Sequence, residues 1–174
     1  GIAWMFSKVY FHTKKDLFQT MAKEAVRYEN ANYDTRRNDW KDFRYAQHTQ
    51  DTPISWCHGA GGILLSRKNI MQNCTDQELI SICKADIQNN IRKVMEHRLR
   101  KGMCMCHGTA GNYEIVRACL EGKGMTETMR ARDIDKMLLQ ERIIPGFMTG
   151  LGGICYGYLR ELHPEWPNVL NLES

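Results

Sequence analysis

The sequence predicts an all-α fold, a double ring of helical hairpins present here as a partial toroid, and three observations lead to it. A glycine-rich turn recurs as His58-Gly-Ala-Gly-Gly62-Ile63, His107-Gly-Thr-Ala-Gly111-Asn112 and Thr149-Gly-Leu-Gly-Gly153-Ile154, with Gly1-Ile2-Ala3-Trp4 as the tail of a fourth copy. Each copy leads into a short, nearly all-apolar helix. Longer two-faced helices fill the stretches between. A repeat of this kind decides the architecture, because each unit must bury its apolar face against its neighbours. All-apolar helices belong inside and two-faced helices outside, so the alternation gives an inner ring wrapped by an outer one.

In chain order, the inner helices are expected at Ile2–Tyr10, Ile63–Met71, Tyr113–Leu120 and Ile154–Leu162, each following the last glycine of its copy. The outer helices are expected at Lys14–Tyr33, Asp76–Leu99 and, with a weaker pattern, Met125–Glu141. The first of these carries Leu17, Met21, Ala25, Val26 and Tyr28 among charges. The second opens with a Thr75-x-x-Glu78 capping box, in which hydroxyl and carboxylate satisfy free amides reciprocally, and then spaces Leu79, Ile82, Cys83, Ile87, Ile91 and Val94 at helical period. Glycines at the inner helix starts let backbones crowd together and leave amide N–H groups facing outward. With the helix dipole they would make one mouth of the toroid an electrophilic pocket.

Composition narrows the function. At 174 residues and 43% apolar content the chain suits one packed domain, and no stretch has the length of a membrane span. The net charge of +4 is dispersed, without the basic stripe of a nucleic-acid footprint. Seven cysteines, an odd number scattered through helical contexts, do not form the framework of a small secreted domain, so reduced thiols and a cytoplasmic location are expected.

The chemistry sits in the turns. Cys57-His58-Gly59 and Cys106-His107-Gly108 occupy equivalent points of the repeat, and 48 residues intervene between the two cysteines, too many for a finger or ribbon. Two units converging in space can still build one metal site. Met148 and Thr149 replace Cys and His in the third copy, which leaves Cys57, Cys106 and His107 as three ligands with a fourth position open, the arrangement of catalytic zinc. His58 is a fourth ligand, a donor behind the ligands, a proton shuttle or an ordinary helix-start histidine. Cys104 is a substitute ligand or a buried thiol. Cys74, Cys83, Cys119 and Cys155 read as small buried hydrophobes. Trp4, Trp56 and Phe147 read as core or pocket wall, and Asn38–Arg44 either lines the mouth or is a solvated loop.

At these residues the chain resembles a known family. Gly-Ile-Ala-Trp, Ser55-Trp-Cys-His-Gly-Ala-Gly-Gly-Ile, Cys106-His-Gly-Thr-Ala-Gly-Asn and Pro145-Gly-Phe-Met-Thr-Gly-Leu-Gly-Gly-Ile are similar to the lanthionine cyclases, nearly end to end. The closest likeness is to the C-terminal half of the cyclase domain of class II lanthipeptide synthetases, bacterial enzymes that also carry a dehydratase domain. The resemblance implies an α/α toroid, Zn2+ held by Cys57, Cys106 and His107, and Michael addition of a peptide cysteine to dehydroalanine or dehydrobutyrine. It also implies a catalytic histidine just before Gly1 and an aspartate from an earlier hairpin. Residues 1–174 are therefore expected to be part of a cyclase domain truncated at its N-terminus, inactive alone. Its implied partners are a dehydrated precursor peptide with its leader, the dehydratase domain and the rest of the toroid. Two other readings are a zinc thiol transferase acting on glutathione, and a non-enzymatic peptide-binding repeat with structural zinc.

Overall fold

The computed structural model describes residues 1–43, 54–97, 102–121 and 144–171, and among these it is predominantly helical. Six α-helices are present among the described residues: α1 (Ile2–Thr13), α2 (Asp16–Ala31), α3 (Ala60–Asn73), α4 (Gln77–His97), α5 (Thr109–Leu120) and α6 (Leu151–Leu162). The outer helix expected at Met125–Glu141 lies outside the described residues.

Helices α1, α3, α5 and α6 pack in sequence order, with α2 against α1 and α4 behind α3 and α5. This is an arc of an α/α toroid, with the glycine-led helices forming the inner layer. Inner helix α5 is buried on every side from Ala110 to Val116, whereas outer helix α2 fully buries only Ala22 and Val26. On α4 the seam is Leu79, Cys83, Ile87, Asn90 and Val94, a stripe with steps of three and four residues.

The buried face of α2 differs from the one expected. Leu17, Met21 and Tyr28 share a face and are exposed, while the seam runs through Ala22 and Val26, with Phe18 and Ala25 partly buried. Small residues win that seam because α2 closes on α1 and α4 where Ala3, Tyr10, Leu79 and Cys83 already fill the space.

The capping box is also replaced. Asp76 caps α4, its Oδ1 accepting the Leu79 N–H at 2.8 Å. That bond, with the Lys23 ammonium, holds the Asp76 carboxyl below the usual carboxylate range. Thr75 turns instead to Tyr10 and Gln19, and Glu78 pairs with Lys23 and Arg27 of α2. A cross-helix charge pair thus takes the carboxylate that sequence spacing assigns to the cap.

One short antiparallel hairpin, β1 (Tyr33–Asp34) with β2 (Asp39–Trp40), follows α2. It turns part of the Asn38–Arg44 segment inward: Asp39 and Trp40 are buried, and Trp40 donates to Asn30 at 3.0 Å. Beneath it lies Arg67 of α3, fully buried, whose guanidinium meets Glu29 of α2 at 2.6 Å and Asp86 of α4 at 2.7 Å. Arg67 therefore clamps three helices. Arg67→Met should cost about 3–5 kcal/mol, because both carboxylates lose their counter-charge in a largely desolvated setting. Denaturant unfolding measures it.

Inner helices α3, α5 and α6 begin before the last glycine of their copies, at Ala60, Thr109 and Leu151, whereas α1 begins after Gly1, at Ile2. The polypeptide preceding α3, α5 and α6 folds back onto the first turn of each. A Cβ on Gly62, Gly111 or Gly153 would lie 2.1, 1.9 or 1.9 Å from the carbonyl oxygen of Trp56, Met105 or Phe147, in each case six residues upstream. Only hydrogen fits there. Gly111→Ala is expected to destabilise by about 2–3 kcal/mol, the scale of forced overpacking, despite its better helix propensity. Gly152→Ala is the control, since its Cβ would meet the Pro145 oxygen at a far milder 3.1 Å. Paired thermal or denaturant unfolding of the two variants distinguishes them.

Candidate metal centre

The folded-back segments carry the site residues, and backbone bonds fix where they go. The Gly62 N–H donates to Ser55 O at 2.9 Å, Thr109 N–H to Gly102 O at 2.9 Å, and Leu151 N–H to Ile144 O at 2.7 Å. In each case the acceptor is seven residues upstream of the donor. Along the first turn of α5, and at Gly62 and Leu151, helix-start amides are thus satisfied by the chain itself. This narrows the expectation that they face the mouth as open donors: Gly62, Thr109, Ala110, Gly111 and Leu151 spend their amides on upstream carbonyls.

The three turns are then joined side by side. The Trp56 N–H donates to Cys106 O at 3.1 Å, and the Cys106 N–H donates to Met148 O at 2.8 Å. Cys57 and Cys106 are brought together by the first of these bonds, and their thiols are hydrogen-bonding neighbours. Partial burial of Cys106, together with the adjacent Cys57 thiol, pushes the Cys106 thiol up to about 12. Two sulfurs so placed resist ionising together unless a cation accompanies them.

His58 also reaches this pair, its Nδ1 lying 3.0 Å from Cys57 Sγ. His107 follows Cys106 directly and is exposed. Among the described residues no three His, Cys, Asp or Glu side chains are gathered into a group that could hold a metal. The structure thus sets Cys57 against His58 and against Cys106, and it does not bring His107 with them into a three-donor cluster. The donor chemistry nevertheless fits zinc: two neighbouring sulfurs, each followed in the chain by an imidazole.

Cys104 is buried and adjoins Cys106 electrostatically. Cys74, at the C-terminal cap of α3, and Cys83 and Cys119, on α4 and α5, have their thiols pushed up to about 11, 12 and 12 chiefly by desolvation, which makes them poor ligands and nucleophiles; Cys74 thus departs from its expected helical face. Cys155 departs from its expected burial and is exposed on α6. Phe147 is likewise exposed, whereas Trp4 is buried and Trp56 is half-buried, donating to Leu170 O at 3.2 Å.

Two residues at the site escaped the sequence reading. Ser55 is fully buried; its Oγ donates to His58 O at 3.1 Å and lies 3.5 Å from Cys57 Sγ. Asn112, in the first turn of α5, donates from Nδ2 to Ile54 O at 2.9 Å. The one available signal was that Asn112 stands where the other two copies have Ile63 and Ile154.

No helix among the described residues is long and apolar enough to cross a membrane. Comparison with known proteins agrees with the geometry. A curated protein described as the lacticin 481/lactococcin biosynthesis protein LcnDR2, from Lactococcus lactis subsp. lactis, is 26% identical over 184 aligned residues, covering 93% of this chain and 20% of that protein. The chain thus spans about a fifth of the length of the curated relative it matches. The profile of the family described as Lanthionine synthetase C-like protein matches residues 1–171. With the glycine-led inner helices and the paired cysteine turns in place, that match over nearly the whole chain establishes that the protein belongs to the lanthionine synthetase C-like family.

Proposed function

We propose that this chain is the C-terminal part of the cyclase domain of a class II lanthipeptide synthetase, contributing the zinc half of its active site. The observation that carries this reading is the meeting of the Cys57 and Cys106 thiols across two turns of the repeat, joined by the Trp56–Cys106 backbone bond. Family membership and a relative described by its part in lacticin 481/lactococcin biosynthesis support it.

Cys57, Cys106 and His107 are the residues that would hold zinc. Bound there, zinc supplies the positive charge that keeps an incoming peptide thiol as thiolate near neutral pH, where a free thiol with a pKa of about 8.5 is mostly protonated. In the reaction the sulfur forms a bond to the β-carbon of dehydroalanine or dehydrobutyrine. The carbon–carbon double bond opens, and negative charge moves toward the adjacent carbonyl. The thiol's proton leaves and the α-carbon gains one, so the addition is balanced with no redox partner. A positioned acid must deliver that proton. His58 is the imidazole beside Cys57 and either delivers it or orients the Cys57 sulfur. Because the first-turn amides of α5 are satisfied internally, charge stabilisation at that turn falls to side chains and to the dipole end of the helix.

The proposed partners are a dehydrated precursor peptide with its leader, an upstream dehydratase domain and the remaining hairpins of the toroid, in a cytoplasmic protein. In the intact protein carrying this chain, joint Cys57→Ala and Cys106→Ala substitution is expected to bring bound zinc close to zero by metal analysis. Near-stoichiometric zinc in that variant would overturn the assignment. His58→Asn is expected to slow ring formation on a dehydrated precursor by about 100-fold or more with zinc content unchanged, the scale of a lost general acid. Mass spectrometry of thiol-alkylated product reads the rate, and an unchanged rate removes His58 from proton transfer.

A further inference from the structure

Asn112 is the buried residue whose presence the packing does not explain. It is 3% exposed, and at its register the other inner helices carry Ile63 and Ile154, so an aliphatic side chain suits the position. A buried carboxamide costs stability unless its polar atoms are paired, and here its Oδ1 has no partner among the described residues. Its Nδ2, by contrast, makes a 2.9 Å bond to Ile54 O, 58 positions away in sequence.

That bond reaches the segment that holds Cys57. Ile54, Ser55, Trp56 and Cys57 are tied internally by the Ser55–His58 and Gly62–Ser55 bonds. They are tied to the α5 turn by Trp56 N–H to Cys106 O, a backbone bond common to any sequence here, and by Asn112, a side-chain bond that only this residue supplies. The two cross-links sit on either side of Ser55, whose hydroxyl lies against Cys57 Sγ. With the Trp56 indole N–H on Leu170 O as a third tie, these bonds set the orientation of the turn, and Asn112 is the tie that comes from the body of α5 and sits nearest Ser55 on its Ile54 side.

We infer that Asn112 is a positioning residue that fixes the Cys57 turn against α5 and thereby sets the placement of the Cys57 thiol beside Cys106. The inference rests on the zinc reading above for its functional consequence, but the tie itself does not need metal.

The test uses Asn112→Leu, a near-isostere without the donor, and Asn112→Ile, which installs the residue found in the other copies; either is read provided α2 exchanges normally. Hydrogen exchange of the metal-free intact protein, followed by mass spectrometry, should show the peptide spanning residues 54–62 exchanging about tenfold faster, with residues 16–31 unchanged. Competition with a chelator should show zinc affinity lowered about 10–100-fold, the range for loss of a group that orients a ligand. Unchanged exchange at 54–62 overturns the tie. Faster exchange with unchanged zinc affinity overturns the placement of Cys57. Should the unsubstituted protein bind no zinc, the metal assignment fails while the exchange result still decides Asn112.

Discussion

The structure depends on one backbone constraint: the peptide before each inner helix lies against that helix's first turn. Carbonyl oxygens six residues upstream occupy the space a side chain would need at Gly62, Gly111 and Gly153. Carbonyls seven residues upstream accept the amides that a helix start leaves unpaired, as Ser55 does for Gly62. In α3, α5 and α6 the folded-back segment thereby caps the helix it precedes, in whole or in part. Because these segments sit at the same end of neighbouring inner helices, their edges can bond to each other, and the Trp56–Cys106–Met148 chain is the result. The thiols meet as a consequence of how the glycines seat the backbone.

Burial separates the cysteines into two kinds. Cys74 at the end of α3, Cys83 on α4 and Cys119 on α5 are held as neutral thiols by desolvation, so they act as small apolar groups. Cys57 is exposed and Cys106 half-buried on turns that face each other, and there a thiol can meet a cation or a substrate. The Arg67 clamp joins α2, α3 and α4, while the cysteine pair joins the turns that precede α3 and α5.

Much of the fold was legible in the residues. The glycine repeat gave the inner helices, and the placement of Cys57 and Cys106 at equivalent points of it anticipated their meeting. Three details were not legible. The seam of α2 runs through Ala22 and Val26 because its partners leave room for small residues only, which hydrophobicity along one helix does not register. Glu78 serves Lys23 and Arg27 of another helix, so a local cap signal lost to a distant charge pair. Asn112 looked like the end of a motif; its role appears only when Ile54 is seen opposite it.

By itself, the sequence determined what is periodic and local: an all-α double layer, the order of its inner helices, and which turns bear thiol and imidazole groups. Those follow from glycine sterics and helical period, properties of each segment alone. Tertiary structure alone decided that Gly62, Thr109 and Leu151 spend their amides on upstream carbonyls, that Cys57 touches Cys106 and His58, and that Ser55 and Asn112 hold them there. The pairings of Cys57 with Cys106 and of Asn112 with Ile54 join atoms far apart in the chain, and short-range hydrogen bonds of that kind are fixed only once the backbones have packed.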